Sequence, residues 1–235
     1  LDWTRLPGTT VAAGIKEQSE SPFAGMVRVS DDTALAVQEL RADGFQARKL
    51  WLVDDDVILC AGRDIEGPGR VETTVVNLPL SLDAEVVVDG QALPNEAFEN
   101  SVDASWIWAG NVGYVFVEPA KLHLLREIRQ SDWHSIRGDH VGGKGDVETQ
   151  AYFTAVIEHD ADTPAYAYAF CPRRNAEEMP QILQAVRDAY TLETSPQATQ
   201  IAYPGGEAFV FWEPGVMHDM EADQSCLVVV HDENV

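Results

Sequence analysis

Short runs in which apolar and polar residues alternate fill most of this chain, and they predict β-strands. The alternation is regular over residues 33–40 and 166–170, while residues 71–77 are rich in Thr and Val, whose branched side chains suit extended backbone. Helical spacing is almost absent before residue 175. The pattern therefore predicts an all-β protein with a large antiparallel β-sandwich, rather than alternating strands and helices.

Turn signals divide these runs into hairpins. Asp54-Asp55 separates residues 49–53 from residues 57–61, Asp89-Gly90 follows residues 84–88, and Ala109-Gly110-Asn111 separates residues 106–108 from residues 113–117. Acidic and Gly-containing dipeptides are typical of two-residue turns between paired strands. The remaining predicted strands before the helix are residues 122–130 and 151–158.

One helix interrupts the strands in the last third of the chain. Asn175 has the short polar side chain of a helix N-cap, and Ile182, Val186 and Ala189 recur at helical spacing. New strand-like runs follow at residues 197–202, 207–212 and 225–230. We therefore predict a domain boundary near residues 174–190.

The charge of the chain limits its partners. Sixteen Lys and Arg residues against 39 Asp and Glu residues give a net charge of −23 over 235 residues. Such a surface repels nucleic acid and anionic membranes, and no apolar run approaches the length of about 18 residues that a membrane span needs. We expect neither nucleic acid nor a membrane as a partner. An anionic polysaccharide would also be repelled unless basic residues of another domain hold it.

Metal and cofactor chemistry finds little support in the residue spacing. Asp54, Asp55 and Asp56 are consecutive, and side chains alternate between the faces of a strand, so a turn explains them better than a metal site. The six His residues form no HxxxH or HExxH pair. The three Cys residues form no CxxC pair and lie in apolar runs. The sequence thus predicts no metal ligand, no cofactor and buried thiols.

Residues near the N-terminus are the candidates for binding sugar. Trp3 could stack on a sugar ring and Arg5 could pair with a uronate carboxylate. The structural alternative is a buried Trp and an Arg–carboxylate pair within the protein. Trp106, Trp108 and Trp133 pose the same choice between sugar stacking and core packing, and Trp106 and Trp108 share one face of a predicted strand.

Eight segments occur in the order found in one known family. The most informative are WTRLPGTT at residues 3–10, KLWLVDDDVILCAGRDI at 49–65 and VETTVVN at 71–77. The others are NVGYVF at 111–116, REIRQSDWHSI at 126–136, FTAVIEHD at 153–160, YAYAFCPRRNAEEM at 166–179 and TLETSPQATQIAY at 191–203. Together they resemble the central β domain of bacterial polysaccharide lyase family 8, whose members cleave hyaluronan, chondroitin and xanthan.

The resemblance implies both a fold and a division of labour. In that family an N-terminal α/α toroid precedes a β super-sandwich of the galactose-mutarotase type and a smaller β domain. The resemblance implies that this chain contains an N-terminally incomplete super-sandwich at residues 1–174, a linking helix at 175–190 and the start of the smaller C-terminal β-sandwich domain at 191–235. The family's reaction is β-elimination at the 4-position of a uronic acid. Its catalytic Asn, His, Tyr and Arg lie on the toroid, and a supporting Glu lies just before the segment that matches residues 3–10. The resemblance therefore implies no catalytic residue within this chain.

Three places depart from the family pattern. Ser131-Asp132 replaces the usual Gly of a G-x-W-type turn, Asp160 stands where the family has Gly after the His, and Arg173 stands where the family has Gly after Pro172. These positions lie in predicted turns. We therefore expect reshaped loops on an unchanged fold.

The residues and the resemblance are compatible with three functions. The favoured one is the C-terminal β portion of a secreted or cell-surface bacterial lyase, which supports the toroid, forms one wall of the cleft and is inactive alone. The alternative is a non-catalytic carbohydrate-binding module, which needs an exposed aromatic platform. The third is a mutarotase-like enzyme, for which only the scattered His123, His134 and His140 offer an acid–base group.

Overall fold

The computed structural model of the protein describes residues 5–13, 20–131 and 147–231. These ranges contain eighteen β-strands, a 3-10 turn at Ala176–Glu178 and one α-helix, α1 (Met179–Ala189). The strands are β1 (Thr10–Ala12), β2 (Ala24–Arg28), β3 (Thr33–Ala42), β4 (Phe45–Asp54), β5 (Val57–Glu66), β6 (Val71–Leu78), β7 (Val86–Val88), β8 (Gln91–Ala92), β9 (Phe98–Ala109), β10 (Val112–Ser131), β11 (Glu148–His159), β12 (Tyr166–Pro172), β13 (Thr191–Thr194), β14 (Ala198–Tyr203), β15 (Gly206–Phe211), β16 (Gly215–Met217), β17 (Met220–Ala222) and β18 (Cys226–His231).

Twelve of these strands form one large sheet. Its main path runs in the order β1-β6-β11-β10-β12-β5-β4-β3-β2, and β9, which also pairs with β10, is joined by β7 and β8. All of its pairings are antiparallel. The prediction of an all-β antiparallel fold is therefore confirmed.

Short polar dipeptides set two of the hairpins. Asp89 and Gly90 have φ angles of +46° and +81°, and Gly110 and Asn111 have φ angles of +61° and +65°. Two successive positive φ angles give the tight turn whose twist matches that of the paired strands. Asp and Asn tolerate this conformation better than other residues with a Cβ. The turn chemistry read from the sequence thus places these hairpins correctly.

The acidic run at residues 54–56 forms the turn after β4. The turn lies one residue later than predicted, and Asp55 has a φ of +50°. Asp54 accepts a hydrogen bond from the Tyr190 hydroxyl at 2.7 Å, and Asp56 pairs with Arg173 at 2.8 Å. The carboxylates of Asp54 and Asp56 therefore bind separate partners, as the turn interpretation predicts.

Strand β10 joins two predicted strands into one. The runs at residues 113–117 and 122–130 belong to the same twenty-residue strand. Its register against β9 shifts between Val115 and Ala120. Pro119 lies in this interval, and its missing N–H leaves a gap in the hydrogen-bond ladder. The apolar alternation is also interrupted at Glu118-Pro119, although the strand continues.

Apolar side chains pack in two main clusters, one on each face of the large sheet. The inner cluster includes Ile65, Phe116 and Phe153. The outer cluster combines Leu52 of the large sheet, Val186 of α1 and further side chains of the last strands. Both faces of the large sheet are consequently buried around β4 and β5, whose central residues are inaccessible on either side.

After β12 the chain passes through α1 into a second sheet. Asn175, the predicted N-cap, caps the 3-10 turn that leads into α1, and its N–H donates to the Glu178 carboxylate at 2.8 Å, while Glu178 occupies the N-cap position of α1 itself. Strands β13-β14-β15-β18 then form a four-stranded sheet, and β16 pairs with β17. The ranges proposed for the domains stay a prediction. Among the described residues, no helix is long and apolar enough to cross a membrane.

Two arginines of the large sheet reach the second sheet. Arg63 donates to the Ser195 carbonyl at 2.7 Å, and Arg48 donates to the Glu213 carboxylate. Asp64 lies at a β-bulge in β5 with a φ of +52°, and its carboxylate pairs with both arginines at 3.0 Å. This ion-pair network fastens the second sheet onto the first.

Arg173 provides a test of backbone strain at one of the positions that depart from the family pattern. Its φ is +56°, and its side chain is 81% exposed. We expect the free energy of unfolding of Arg173→Gly to exceed that of Arg173→Ala by about 1 kcal/mol, because Gly adopts positive φ without a steric penalty. The exposed ion pair with Asp56 is lost in both variants and cancels in the comparison. Urea denaturation measures the difference, and equal stabilities would contradict the argument from strain.

Candidate functional site

The first described residues, 5–12, form a segment that lies along the edge of β6; we call it the N-terminal segment. Its strand β1 pairs with β6, with Thr10 opposite Thr73. Before the strand, the N–H of Gly8 donates to the Thr74 carbonyl at 2.8 Å, and the N–H of Thr74 donates to the Thr9 carbonyl at 3.0 Å. The segment is therefore an added edge strand preceded by a short turn.

Arg5 is fixed at the beginning of this segment. Its Nε donates to Glu72 Oε1 at 2.8 Å, and its carbonyl accepts a hydrogen bond from Asn77 Nδ2 at 2.6 Å. The Arg5 side chain is 18% exposed. The structure thus gives Arg5 a carboxylate partner within the protein, while its predicted contact with a uronate stays a prediction. Trp3, the other sugar-binding candidate, lies outside the described residues.

Arg5 belongs to a larger group of polar residues on one face of β6, β10 and β11. Asn77 connects the group, because its Oδ1 accepts hydrogen bonds from Arg129 at 3.0 Å and from Thr154 at 3.1 Å. The Arg129 guanidinium also lies 4.5 Å from the centre of the Tyr152 ring. We call this group the polar cluster; its charged and hydrogen-bonding members are Arg5, Arg70, Glu72, Asn77, Glu127, Arg129, Thr154 and Glu158.

Charges within the polar cluster are balanced. Glu72 pairs with Arg5 and, at 3.2 Å, with Arg70, and Arg70 also pairs with Glu158. Arg129 pairs with Glu127 at 2.7 Å. The polar cluster thus contains three arginines and three glutamates, although the whole chain has a net charge of −23. The surplus of negative charge must therefore lie elsewhere on the protein.

Lys49 lies on the inner face of the sheet, beneath the N-terminal segment. Its side chain belongs to strand β4, is 2% exposed and donates a hydrogen bond to the Gly8 carbonyl. Its Nζ lies 5.3 Å from the centre of the Trp51 ring. Among the described residues, no carboxylate pairs with it. Burial lowers the pKa of Lys49 to about 8, since the charged form is poorly solvated there.

Neighbouring titratable groups in this region are held neutral. Burial raises the pKa of the Cys60 thiol to about 11 and raises the pKa values of Tyr166 and Tyr168 well above their usual range. The two tyrosine rings stack at 5.8 Å. A protonated, buried thiol is a poor nucleophile, so these groups serve packing rather than reaction chemistry. The prediction of buried thiols is confirmed for Cys60 and Cys171, while Cys226 is half-buried.

His159 takes part in a buried chain of hydrogen bonds. Its Nδ1 lies 2.9 Å from the Thr163 carbonyl and its Nε2 lies 2.7 Å from the Thr73 hydroxyl. Because a carbonyl only accepts, Nδ1 carries the proton and Nε2 accepts from Thr73, which in turn accepts from Thr10 at 2.8 Å. Burial lowers the pKa of His159, and the charge of Lys49 lowers it further. Burial of the ring therefore favours the neutral imidazole, in which Nε2 is the acceptor for the Thr73 hydroxyl.

A groove of about 760 Å³ opens where the large sheet meets the second sheet. Its volume lies within the range of small-molecule sites. The arginines that line it are already paired with carboxylates, so it offers no surplus of positive charge to an anionic ligand. Its charged and polar lining residues are Arg41, Gln46, Arg48, Arg63, Asp64, Glu66, His159, Asp160 and Glu213.

The aromatic candidates on β9 belong to the core. Trp106 is 5% exposed, and the indole N–H of Trp108 donates to the Arg174 carbonyl at 2.6 Å. Both side chains pack in the outer cluster, which confirms that they share a face. Neither forms the exposed platform that a carbohydrate-binding module needs. Trp133, His134 and His140 lie outside the described residues.

Metal binding has no candidate in the described part of the chain. No group of three or more His, Cys, Asp or Glu side chains there is arranged to hold a metal ion. His123 instead lies 2.9 Å from Glu99, and His218 lies 3.2 Å from Glu193. His123 lies on β10 and His218 lies in the turn between β16 and β17, so they do not form a common site.

Sequence reasoning missed Lys49 and Asn77, which bond the N-terminal segment from the sheet side, and His159, which bonds Thr73 beside that segment. The structure places Lys49 inside β4, whereas the sequence pattern placed it at the start of the predicted strand 49–53, directly after Arg48, and so gave no signal. A charged residue in a strand buried on both faces must find a partner within the protein. The partner itself is 41 residues away and has no sequence signature.

The chain belongs to polysaccharide lyase family 8, because the model of that family's super-sandwich domain matches residues 1–183. The chain is 27% identical to the hyaluronate lyase of Thermasporomyces composti over 96% of its own length, and 28% identical to the chondroitinase-AC of Pedobacter heparinus over 75%. It spans only 31% and 27% of those two proteins.

A solved structure supports the fold. The Paenibacillus xanthan lyase superimposes with a TM-score of 0.86 over 98% of this chain and 24% of its own, at 22% sequence identity. The family and the lyase-type β fold expected from the sequence motifs are therefore confirmed.

His159 predicts a pH dependence of stability. Its pKa in the folded state lies below the ordinary value of 6.5, so the unfolded chain binds a proton that the folded chain does not. The free energy of unfolding should therefore fall as the pH drops below about 6.5, by at most about 1.4 kcal/mol per pH unit for this group. His159→Gln keeps a donor and an acceptor but does not titrate, so it should flatten the decline.

Chemical denaturation between pH 7 and pH 5 measures this effect. His218→Gln is the control, because His218 is half-exposed and remote from the buried chain. A decline of equal slope in the His159→Gln and His218→Gln variants would show that other groups cause it.

Proposed function

We propose that this chain is the C-terminal β portion of a polysaccharide lyase that cleaves uronic-acid-containing polysaccharides of the hyaluronan, chondroitin or xanthan type by β-elimination. The family match over residues 1–183 is the observation that carries the proposal. The relatives with this domain are a hyaluronate lyase and a chondroitinase-AC, and a xanthan lyase shares the fold. The common feature of their substrates is a polymer that contains uronic acid.

The catalytic residues of this lyase are expected outside the chain, on an N-terminal α/α toroid of the same protein. β-Elimination needs a group that neutralises the uronate carboxylate, a base for the C5 proton and an acid for the leaving oxygen. Among the described residues, Tyr166 and Tyr168 are buried with raised pKa values, and both ring nitrogens of His159 are engaged. These occupied groups support the proposal that the chain alone is inactive.

The role of the β portion is then to support the toroid and to form one wall of the cleft. The polar cluster is the favoured wall, because its charges balance and the repulsion of a polyuronate is smallest there. Arg5, at the edge of the polar cluster, is proposed to contact the sugar. Trp3 is proposed as a second sugar contact. Because a polymer of this size does not enter cells, the protein is proposed to be secreted by a bacterium or held at its surface.

A chimeric enzyme tests the proposal. The chain would replace the matching part of the Thermasporomyces composti hyaluronate lyase, and the unsaturated uronate product would be followed by ultraviolet absorbance. We expect no product from the chain alone with hyaluronan, chondroitin sulfate or xanthan, and product from the chimera with at least one of them. Thermal unfolding establishes that the chimera is folded.

Two outcomes would count against the proposal. Product from the chain alone would mean that it contains a complete catalytic set. A folded chimera without activity on any of the three polymers would mean that the chain does not support the toroid of its relative.

The sugar contact of Arg5 has its own test in the active chimera. Arg5→Gln should raise KM about tenfold with little change in kcat, as expected when one charge-assisted hydrogen bond of about 1.5 kcal/mol is lost from substrate binding. Arg28→Gln is the matched control, because Arg28 is 68% exposed on the edge strand β2. An unchanged KM in Arg5→Gln would assign Arg5 to the pair with Glu72 alone.

A further inference from the structure

Lys49 is an unusual residue for its position. It is 2% exposed in the centre of the large sheet, between Ala47 and Trp51 on the inner face. Among the described residues it has no carboxylate partner, in contrast to Arg48, which pairs with Glu39, Asp64 and Glu213. Burial of a cation without an opposite charge is unfavourable, and an apolar side chain of similar length would pack there at lower free energy.

What Lys49 provides is a donor for one particular carbonyl. Gly8 has a φ of +80° within the turn that precedes β1, and the Thr9 N–H and hydroxyl both bond to the Leu6 carbonyl, at 3.0 and 2.6 Å. In this turn the Gly8 carbonyl accepts a hydrogen bond from Lys49 Nζ. Without that donor the carbonyl would lose its partner in a part-buried site.

The contact completes a set that fixes the N-terminal segment at three places. Glu72 and Asn77 hold Arg5 at its start, and Thr73 holds Thr10 at its end. Lys49 holds the middle. The hydrogen bonds at Arg5 and Gly8 lie before the three-residue strand β1, so they constrain the course of the preceding turn.

We propose that Lys49 is a positioning residue, whose ammonium group holds the Gly8 carbonyl and so fixes the turn that places Arg5 at the polar cluster. The structural part of this proposal concerns the chain alone. Its consequence for catalysis rests on the proposed lyase function, through the wall that Arg5 and its neighbours form.

Lys49→Met tests the structural part. We expect the free energy of unfolding to stay the same or rise, while the amide protons of Gly8 and Thr9 exchange at least about tenfold faster, as expected when a hydrogen bond to a charged group is lost. Hydrogen exchange followed by mass spectrometry resolves the two effects. Unchanged exchange at residues 5–9 would overturn the proposal, and so would faster exchange of the whole sheet together with lower stability.

A second pair of variants keeps the test decisive if Lys49→Met does not fold. Gly8→Ala and Gly90→Ala introduce the same backbone strain, because the φ angles are +80° and +81° and neither Cβ would meet an atom within 4 Å. Gly8→Ala should accelerate exchange in the N-terminal segment. Gly90→Ala should accelerate exchange only at the β7–β8 hairpin. If Gly8→Ala left exchange in the N-terminal segment unchanged, that result would contradict the proposal.

The catalytic part is measured in the chimera. Lys49→Met and Gly8→Ala should each lower kcat about tenfold with a smaller change in KM, and together they should lower it no further, since both disturb one turn. Gly90→Ala should leave both constants unchanged. Full activity of Lys49→Met would overturn the catalytic role. An inactive chimera with the original sequence would count against the proposed function, while the exchange experiment would still decide the role of Lys49.

Discussion

Burial of both faces of the large sheet at strands β4 and β5 is the constraint to which the polar chemistry of this protein responds. A polar side chain in such a strand has no access to water, so every donor must find an acceptor within the protein. Arg48 and Lys49 are consecutive residues and therefore face opposite sides. Arg48 reaches Glu213 near the second sheet, and Lys49 reaches Gly8 in the N-terminal segment. One strand thus connects the two ends of the described chain.

The two residues meet the constraint in opposite ways. Although burial acts to lower the pKa of Arg48, the carboxylates of Glu213, Asp64 and Glu39 raise it, so the charge is stabilised. Lys49 lacks such partners in the described ranges, and burial lowers its pKa. A paired buried charge adds little net stability but is strongly destabilising when broken, which suits a junction between sheets. An unpaired charge that bonds one carbonyl fixes a conformation at the expense of stability.

The strands and turns are predictable because they depend on residues that are close in the sequence. Contacts between residues that are distant in the sequence are not predictable in this way. Asp89-Gly90 and Gly110-Asn111 carry their turn conformation in their own side chains and backbone freedom, so both hairpins follow from the sequence. The single strand β10 was divided in the prediction because Pro119 interrupts the apolar alternation without ending the strand. The family motifs supplied the sheet arrangement that periodicity alone leaves open.

The site was less predictable for the same reason. Arg5 was identified as a candidate, but its partner Glu72 is 67 residues away and pairs with it only because β1 adds to the edge of β6. His159 gave no signal, since its neutral state depends on Thr73 and Thr163, which belong to a neighbouring strand and a loop. Residue types indicate what chemistry is available, and strand register decides which groups meet.

Electrostatic screening explains how so acidic a chain could serve a lyase that acts on a polyanion. At physiological ionic strength, exposed charges more than about 8 Å apart are largely screened from one another. A bound polymer would therefore respond to the charges beside it and not to the total of −23. Beside the polar cluster the three arginines offset the three glutamates, so the local repulsion is small. Under the proposed function, such a wall would tolerate a polyuronate without attracting it, and the attraction would come from basic residues on the proposed toroid.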